Sequence, residues 1–549
     1  MTRPCEISGF LRRQMPAGKS IVPLVAVLLA LLSSRPAVAG TSIYVFDPDR
    51  STATKTGGFV GLHVTYRITG RFRLNVNPSG TAVFEEVDAS LTDEAGSVYS
   101  LSLDEVFNMT VLGGDSIGLN TIIFKGKTAD GTESDVTITL TIEGGLAHLT
   151  GGTTPPPNSA DMFFYELDAV ATRKYAAGTG EPNDPYRIAT AENLITLGET
   201  PEDYDKHFLL TADIDLDPNL PGRRVFDKAV IAPDVNDDED WLQGIAFTGV
   251  FDGNSHIISH LTIRGGGYLG LIGHMWGWGT TVRALSTVSV NIAGSGDCVG
   301  GLAGYNNGGH VVQCYSSGIV TGSSYVGGLV GLEGRPDKRT ITDSHSTATV
   351  TAMTQCAGGL VGSNYGWVVR CYSTGPVAAA FGAGGLVGRN YGSIVTSYSS
   401  GSVNGTSCIG GLVGINDRYK YYYVGDIVES YSTGSVSGED LVGGLVGSNN
   451  GFATSSFWDI ETSGQTTIGC GIGKTTAEMQ TASTFLEAGW DFVGESVNGT
   501  EGIWSICEGT NYPRFAWQIP AGDFVCPDGI TTDDFLFFLG HWLDDNCDF

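Results

Sequence analysis

The chain is poor in charge, and poorer still in positive charge. Only 16% of its 549 residues are charged, and 59 acidic side chains face 30 basic ones for a formal net charge of −29. A surface of that sign repels nucleic acid and anionic membranes, so neither is expected as a partner. After the first forty residues no apolar run is long enough to span a bilayer. Catalytic triads, metal-ligand spacings and carboxylate pairs with a basic partner are also missing, so the chain is expected to be non-catalytic and to carry no cofactor, with calcium left open. What is abundant is glycine, at 79 residues, which suits short strands and tight turns better than helix bundles.

The first segment reads as a targeting signal. Arg12, Arg13 and Lys19 precede the apolar run 21–32, and Ala37, Val38 and Ala39 end it with small residues. Cleavage after Ala39 would give a secreted or cell-surface protein, and no cysteine follows closely enough for a lipid anchor. Export permits disulfides. However, Cys298, Cys356 and Cys408 hold one repeat position in alternate repeats, as do Cys314 and Cys371. Two rungs of a stacked coil put them roughly 10 Å apart, beyond disulfide reach. These five are expected as small buried residues, and Cys470 with Cys507 and Cys526 with Cys547 as bridges.

One phrase organises the rest. Val442-Gly443-Gly444-Leu445-Val446-Gly447-Ser448-Asn449 recurs around Leu302, Leu329, Leu360, Leu386, Leu412 and Leu445, with a degenerate copy at Leu271. The steps are 27, 31, 26, 26 and 33 residues. A fixed motif at unequal steps puts the variable residues in loops and indicates a solenoid or propeller. The fold class expected is all-β: a repeat β-helix with an N-terminal β-sandwich-like domain and small helical caps.

A second half-motif splits by parity. Cys314, Ser344, Cys371, Ser397 and Ser430, then Ser316, Ser346, Ser373, Ser399 and Ser432, share one side with Val312 and its equivalents; Tyr315, His345, Tyr372, Tyr398 and Tyr431 take the other. Such alternation marks a half-buried strand, which turns the Tyr row outward as a ladder. Four residues after the marker leucine, Asn306, Asn364, Asn390, Asn416 and Asn449 are interrupted only by Glu333. Stacked Asn amides and the glycines after them suit a β-helix corner. In the Gly-Gly-Leu strand both parities are apolar, and its inward face is not decided by the pattern.

These residues resemble the GLUG repeat family, named for a Gly-Leu-hydrophobic-Gly core. The resemblance extends over roughly 181–520, through Asp184-Pro185-Tyr186-Arg187-Ile188, Ala212-Asp213-Ile214-Asp215-Leu216, Phe251-Asp252-Gly253-Asn254-Ser255-His256 and Ser456-Phe457-Trp458-Asp459. It implies an extracellular, adhesin-like architecture and brings no catalytic motif.

In chain order, 41–150 is expected as a separate β domain and 151–180 as a linker stiffened by Pro155, Pro156 and Pro157. Residues 181–265 supply a cap and the opening coils, with Thr190 capping a helix from Ala191 to Leu197. The β-helix occupies 266–460. A Trp-rich cap follows over 461–520, with a helix starting at Thr475 and the last rung covered. In the tail, 521–549, Asp523, Asp528 and Asp534 lie in a stretch that resembles half of a dockerin module, a calcium loop followed by a helix. Val525 and Pro527 stand where oxygen ligands belong. The tail's apolar helix implies a protein partner or a docking surface.

Several smaller signals have structural readings as well as functional ones. The stretch Gly471 to Thr475 lacks the first glycine of a phosphate loop. His256 and His260 are too far apart along a strand for a zinc pair. Asp234 with 237–240, and Asp213 with Asp215 and Asp217, read as solvated loops or cation sites. The row Tyr315, Tyr372, Tyr398 and Tyr431 is the candidate ligand face. Aligned aromatic rings hold sugar chains, and the same row equally staples coils together by stacking. The function expected is adhesion or contact with a polysaccharide or cell-surface component. The alternative is a β-helix polysaccharide lyase or hydrolase.

Overall fold

The computed structural model describes the strands between residues 40 and 173, and residues 174–519 apart from 237–241, 335–340, 420–422 and 467–469. The expected leader and the tail with Asp523, Asp528 and Asp534 lie outside the described residues. The chain divides into two compact units, Met1–Thr179 and Gly180–Phe549.

The first unit is a ten-stranded antiparallel sheet. The chain expected as a linker belongs to it. Strand Phe163–Arg173 pairs with Leu146–Thr154 on one side, and with Gly40–Phe46 and Thr52–Gly57 on the other. Gly151 and Gly152 lie in register with Leu167 and Glu166. The prolines at 155–157 fall between two paired strands rather than between domains, so strand pairing on both sides overrides the linker-like composition.

The second unit is a parallel β-solenoid with three faces. A ten-stranded sheet runs from Tyr186–Ile188 to Phe452–Thr454, a seventeen-stranded sheet from Ile214–Asp215 to Ile472–Lys474, and a seven-stranded sheet from Ile272–Trp276 to Val446–Asn449. From Ile272 on, each coil visits the third, first and second sheets in that order, as Ala303–Asn307, His310–Val312 and Tyr315–Gly327 do. At the start of the solenoid, His207–Leu210, Val250–Asp252 and Thr281–Arg283 stack in parallel. Thr190 caps the helix Ala191–Gly198 by accepting from the Asn193 amide at 3.3 Å, and Leu194 and Leu197 are buried beneath it.

Each corner has a steric cause. The Gly-Gly pair ends a second-sheet strand, and the leucine after it turns inward before the third-sheet strand begins. Val299, Val326, Ala357, Ala383 and Ile409 are therefore buried, and so are the marker leucines. Both parities are apolar because the chain turns between them. A Cβ on Gly411 would run into the Gly444 carbonyl of the next coil and lie 2.8 Å from Ser432 Oγ, and the other second glycines of the pair are equally enclosed. The serine row crosses the lumen to this corner: Ser399 Oγ donates to Gly411 O and Ser432 Oγ to Gly444 O, both at 2.6 Å.

The second corner breaks the parity expected for Val312. Gln313, Asp343, Arg370, Thr396 and Glu429 all have φ between 48° and 54°, a left-handed turn that flips the alternation. Val311, Ile341, Val368, Ile394 and Ile427 are consequently the fully buried residues, while Val312, Val395 and Val428 are only half-buried. At the third corner the Asn ladder is as expected. Asn364 Nδ2 donates to Asn390 Oδ1 at 2.8 Å, Asn390 to Asn416 at 2.9 Å and Asn416 to Asn449 at 2.8 Å, while each Oδ1 of the first two accepts a corner amide. Glu333 joins the ladder by accepting from Asn306 at 2.6 Å.

Candidate functional site

The tyrosine row is one column, in register across five coils. Ring centroids are 4.5 Å apart from Tyr315 to His345 and from His345 to Tyr372, 4.9 Å to Tyr398 and 5.0 Å to Tyr431. Phe457 extends the register. The rings point away from the lumen, yet most of the column is not an open face. Residues 476–518 fold back along it, and Tyr398 and Tyr431 are only 7% and 2% exposed in a cluster with Met479, Phe485, Trp490, Trp504 and Phe515. Tyr431 donates its hydroxyl to Pro513 O, and Gln518 Nε2 donates to the Tyr398 hydroxyl at 2.8 Å. Trp517, 48% exposed, stands 6.0 Å from His345 and 5.9 Å from Tyr372.

Two expectations are corrected by this arrangement. Tyr398 and Tyr431 cannot present rings to a polymer in this conformation; of the candidate ligand face, only Tyr315 and Tyr372 keep partial exposure. The Trp-rich region is more than an end cap as well. Trp458 replaces the inward serine at the last coil and fills the lumen, while Trp490 and Trp504 roof the column from outside, stacked at 4.8 Å. The helix start at Thr475 is as expected, with a reciprocal capping box to Glu478. His345, enclosed between two tyrosines, is pushed down to about 4 by burial.

The cysteines separate in a similar way. Cys298, Cys314, Cys356, Cys371 and Cys408 are buried free thiols, and burial raises Cys314 and Cys371 to about 12. Cys470 is also free while Cys507 is disulfide-bonded, so the expected Cys470–Cys507 bridge is not formed. The Cys526–Cys547 expectation lies outside the described residues. His256 and His260 do not meet: each bonds a separate carboxylate through Nδ1, Asp213 at 3.0 Å and Asp215 at 2.8 Å. Asp234 closes its own loop by accepting from the Gln243 amide at 2.9 Å. Among the described residues no group of three potential ligands could hold a metal, and no helix is long and apolar enough to cross a membrane.

A second aromatic array, on the seven-stranded sheet, was not anticipated. His274 stacks on Tyr305 at 5.3 Å with Trp276 edge-on to it. Further along, Tyr365 stacks on Tyr391 at 4.6 Å, and Tyr419 meets both edge-on at 5.5 and 5.6 Å. Arg389 lies 5.2 Å over the Tyr391 ring. Tyr419 comes from a short hairpin, Arg418–Tyr419 paired with Tyr423–Val424, inserted in the longest repeat step. The available signal was tyrosine directly after the ladder asparagine, in Asn364-Tyr365 and Asn390-Tyr391. Only two consecutive coils carry it, and the hairpin is out of repeat register.

Comparison with known proteins bears on the repeat. Over 209 residues, 36% of this chain, the sequence is 31% identical to halomucin of Haloquadratum walsbyi; the match spans about 2% of that protein's length. A solved structure from Bacteroides ovatus, described as a candidate immunoglobulin A1 protease, is 19% identical with a TM-score of 0.39, covering 63% of this chain and 96% of its own. Residues 405–437, one coil of the solenoid, match the GLUG motif.

Proposed function

We propose that the chain is an extracellular, non-catalytic β-solenoid that contacts glycans or a cell-surface component in adhesion. The observation that carries this reading is the aromatic array on the seven-stranded sheet. Trp276, 44% exposed, and the part-exposed Tyr305 and Tyr365 lie on the first, second and fourth coils of that sheet, Tyr365 just past its strand, so rings recur along the solenoid axis over about 14 Å at ordinary strand spacing, with the buried Tyr391 stacked behind Tyr365. Rings spaced along an axis match a polymer better than a small ligand, and tyrosine offers apolar area with a hydroxyl at low entropic cost. The targeting signal expected from the sequence and the likeness to halomucin, a mucin by name, support a place outside the cell. The tail, with its expected partner, would attach the solenoid there.

The test is a glycan array on the mature protein, followed by affinity electrophoresis with any polysaccharide retained. A Trp276→Ala, Tyr365→Ala double variant is expected to lose at least tenfold in retention while remaining folded. Absence of any glycan retention by the wild type would refute the reading, and release of oligosaccharide products would replace it with the lyase or hydrolase alternative.

A further inference from the structure

Two arginines of the later coils, Arg370 and Arg389, are built differently, and the difference points to a ligand. Arg370 is fully served: its Nε and Nη2 donate to the two oxygens of Asp343 at 2.6 and 2.8 Å, the bidentate geometry that a structural pair adopts. Arg389, one coil on, has a single carboxylate contact, Nη2 to Asp417 Oδ2 at 3.2 Å. Its side chain is only 25% exposed, and its Nε is buried with no hydrogen-bond partner. The other oxygen of Asp417 is already occupied, accepting from the Arg418 amide at 2.8 Å and from Asn450 Nδ2 at 3.3 Å. Asp417 is therefore held where it cannot swing round to serve Arg389 with both oxygens.

A largely desolvated guanidinium with one long contact is under-coordinated, and an added carboxylate would recover part of its desolvation cost. The surroundings select what carries that carboxylate. Arg389 lies over the face of Tyr391, which is only 9% exposed and serves as its support; Tyr365, stacked on Tyr391, is part-exposed, and Tyr419, 38% exposed, stands edge-on to both. An inserted hairpin brings Tyr419 there, so the three rings meet at one place along the solenoid. Aromatic rings pack against the C–H face of a sugar while a guanidinium binds its carboxylate.

We propose that Arg389, held on Tyr391, forms with Tyr365 and Tyr419 a subsite for an acidic sugar residue, whose carboxylate pairs with the part of the guanidinium that remains open to solvent. This rests on the glycan reading above and gives it a substrate class. The chain's net charge of −29 narrows that class further. A polyuronate would be repelled along its length, so the occupant is a single acidic sugar carried on an otherwise neutral glycan.

The experiment titrates the full mature chain with a xylo-oligosaccharide bearing one glucuronic acid, and with the same oligosaccharide after reduction of its carboxyl group to the alcohol. The wild type is expected to bind the acidic form about tenfold or more tightly than the reduced form, the scale of one charge-assisted contact. Arg389→Gln should abolish that preference. Tyr419→Ala, on an exposed hairpin where the fold is not at risk, should weaken both forms and keep the preference. Equal binding of the two forms by the wild type, or a preference that survives in Arg389→Gln, overturns the subsite. So does binding of neither form when the array still shows glycans retained, whereas a wild type that retains no glycan at all removes the glycan reading with it.

Discussion

His345 is the one histidine in a column otherwise made of tyrosine, and replacing it tests the buried ladder directly. Its ring lies 4.5 Å from both Tyr315 and Tyr372 with Trp517 beside it, and burial lowers it from the ordinary 6.5 to about 4. The folded state thus holds a neutral imidazole that the unfolded chain protonates more readily. A depressed pKa means that the stability is present in full above 6.5 and is lost as pH falls through about 4. Linkage over that window gives a loss of about 1 kcal/mol at pH 5.5 and about 2–3 kcal/mol at pH 4.5 relative to neutral pH. His345→Tyr restores the column's prevailing residue, keeps the stack and removes the titration. Denaturant midpoints of the two chains at pH 7.5, 5.5 and 4.5 should diverge by those amounts, because every other acid-labile group is common to both. An identical pH dependence in wild type and His345→Tyr would refute the placement of this ring in a dry stack.

Three further outcomes follow from the packing. Gly411→Ala should destabilise the solenoid by about 3 kcal/mol or more, since its Cβ meets the Gly444 carbonyl and Ser432; a melting curve within a degree of wild type would show that the corner has room. Trp504→Ala should cost about 3–5 kcal/mol and open the roof over Tyr398 and Tyr431, read as dye binding to newly exposed aromatic surface, and unchanged dye binding would deny that the roof depends on it. Glu429→Gln should stabilise the chain at neutral pH and bring no gain below the ordinary 4.5: burial raises this carboxyl, so its contribution is present at low pH and lost as pH rises through the raised value. Thermal melts at pH 3.5 and 7.5 decide it, and a gain of equal size at both would assign the effect to something other than charge.

What the amino-acid sequence determined by itself is what repeats locally. The Gly-Gly-Leu period gave the coil, the Asn row gave a ladder now seen bond by bond, and period-2 alternation gave the tyrosine column and the serine row behind it. Thr190 and Thr475 were legible as caps because an N-cap acts within three residues of itself. Tertiary structure decided whatever depends on partners far along the chain. The left-handed corner at Gln313, Asp343, Arg370, Thr396 and Glu429 is occupied by five different side chains, none of them glycine, so no residue type announces it. Residues 151–154 and 163–173 look like a linker with a stray strand until both edges of 163–173 find partners. The roof over Tyr398 and Tyr431 comes from residues 45 to more than 100 positions downstream, and a column exposed by its own coil's alternation carries no mark of a later segment packing onto it. The second array depends on a hairpin outside the repeat, which places Tyr419 beside Tyr365 and Tyr391 across more than one coil. Periodicity reports which side of a strand faces the lumen; only packing reports which outer surfaces stay open to a ligand.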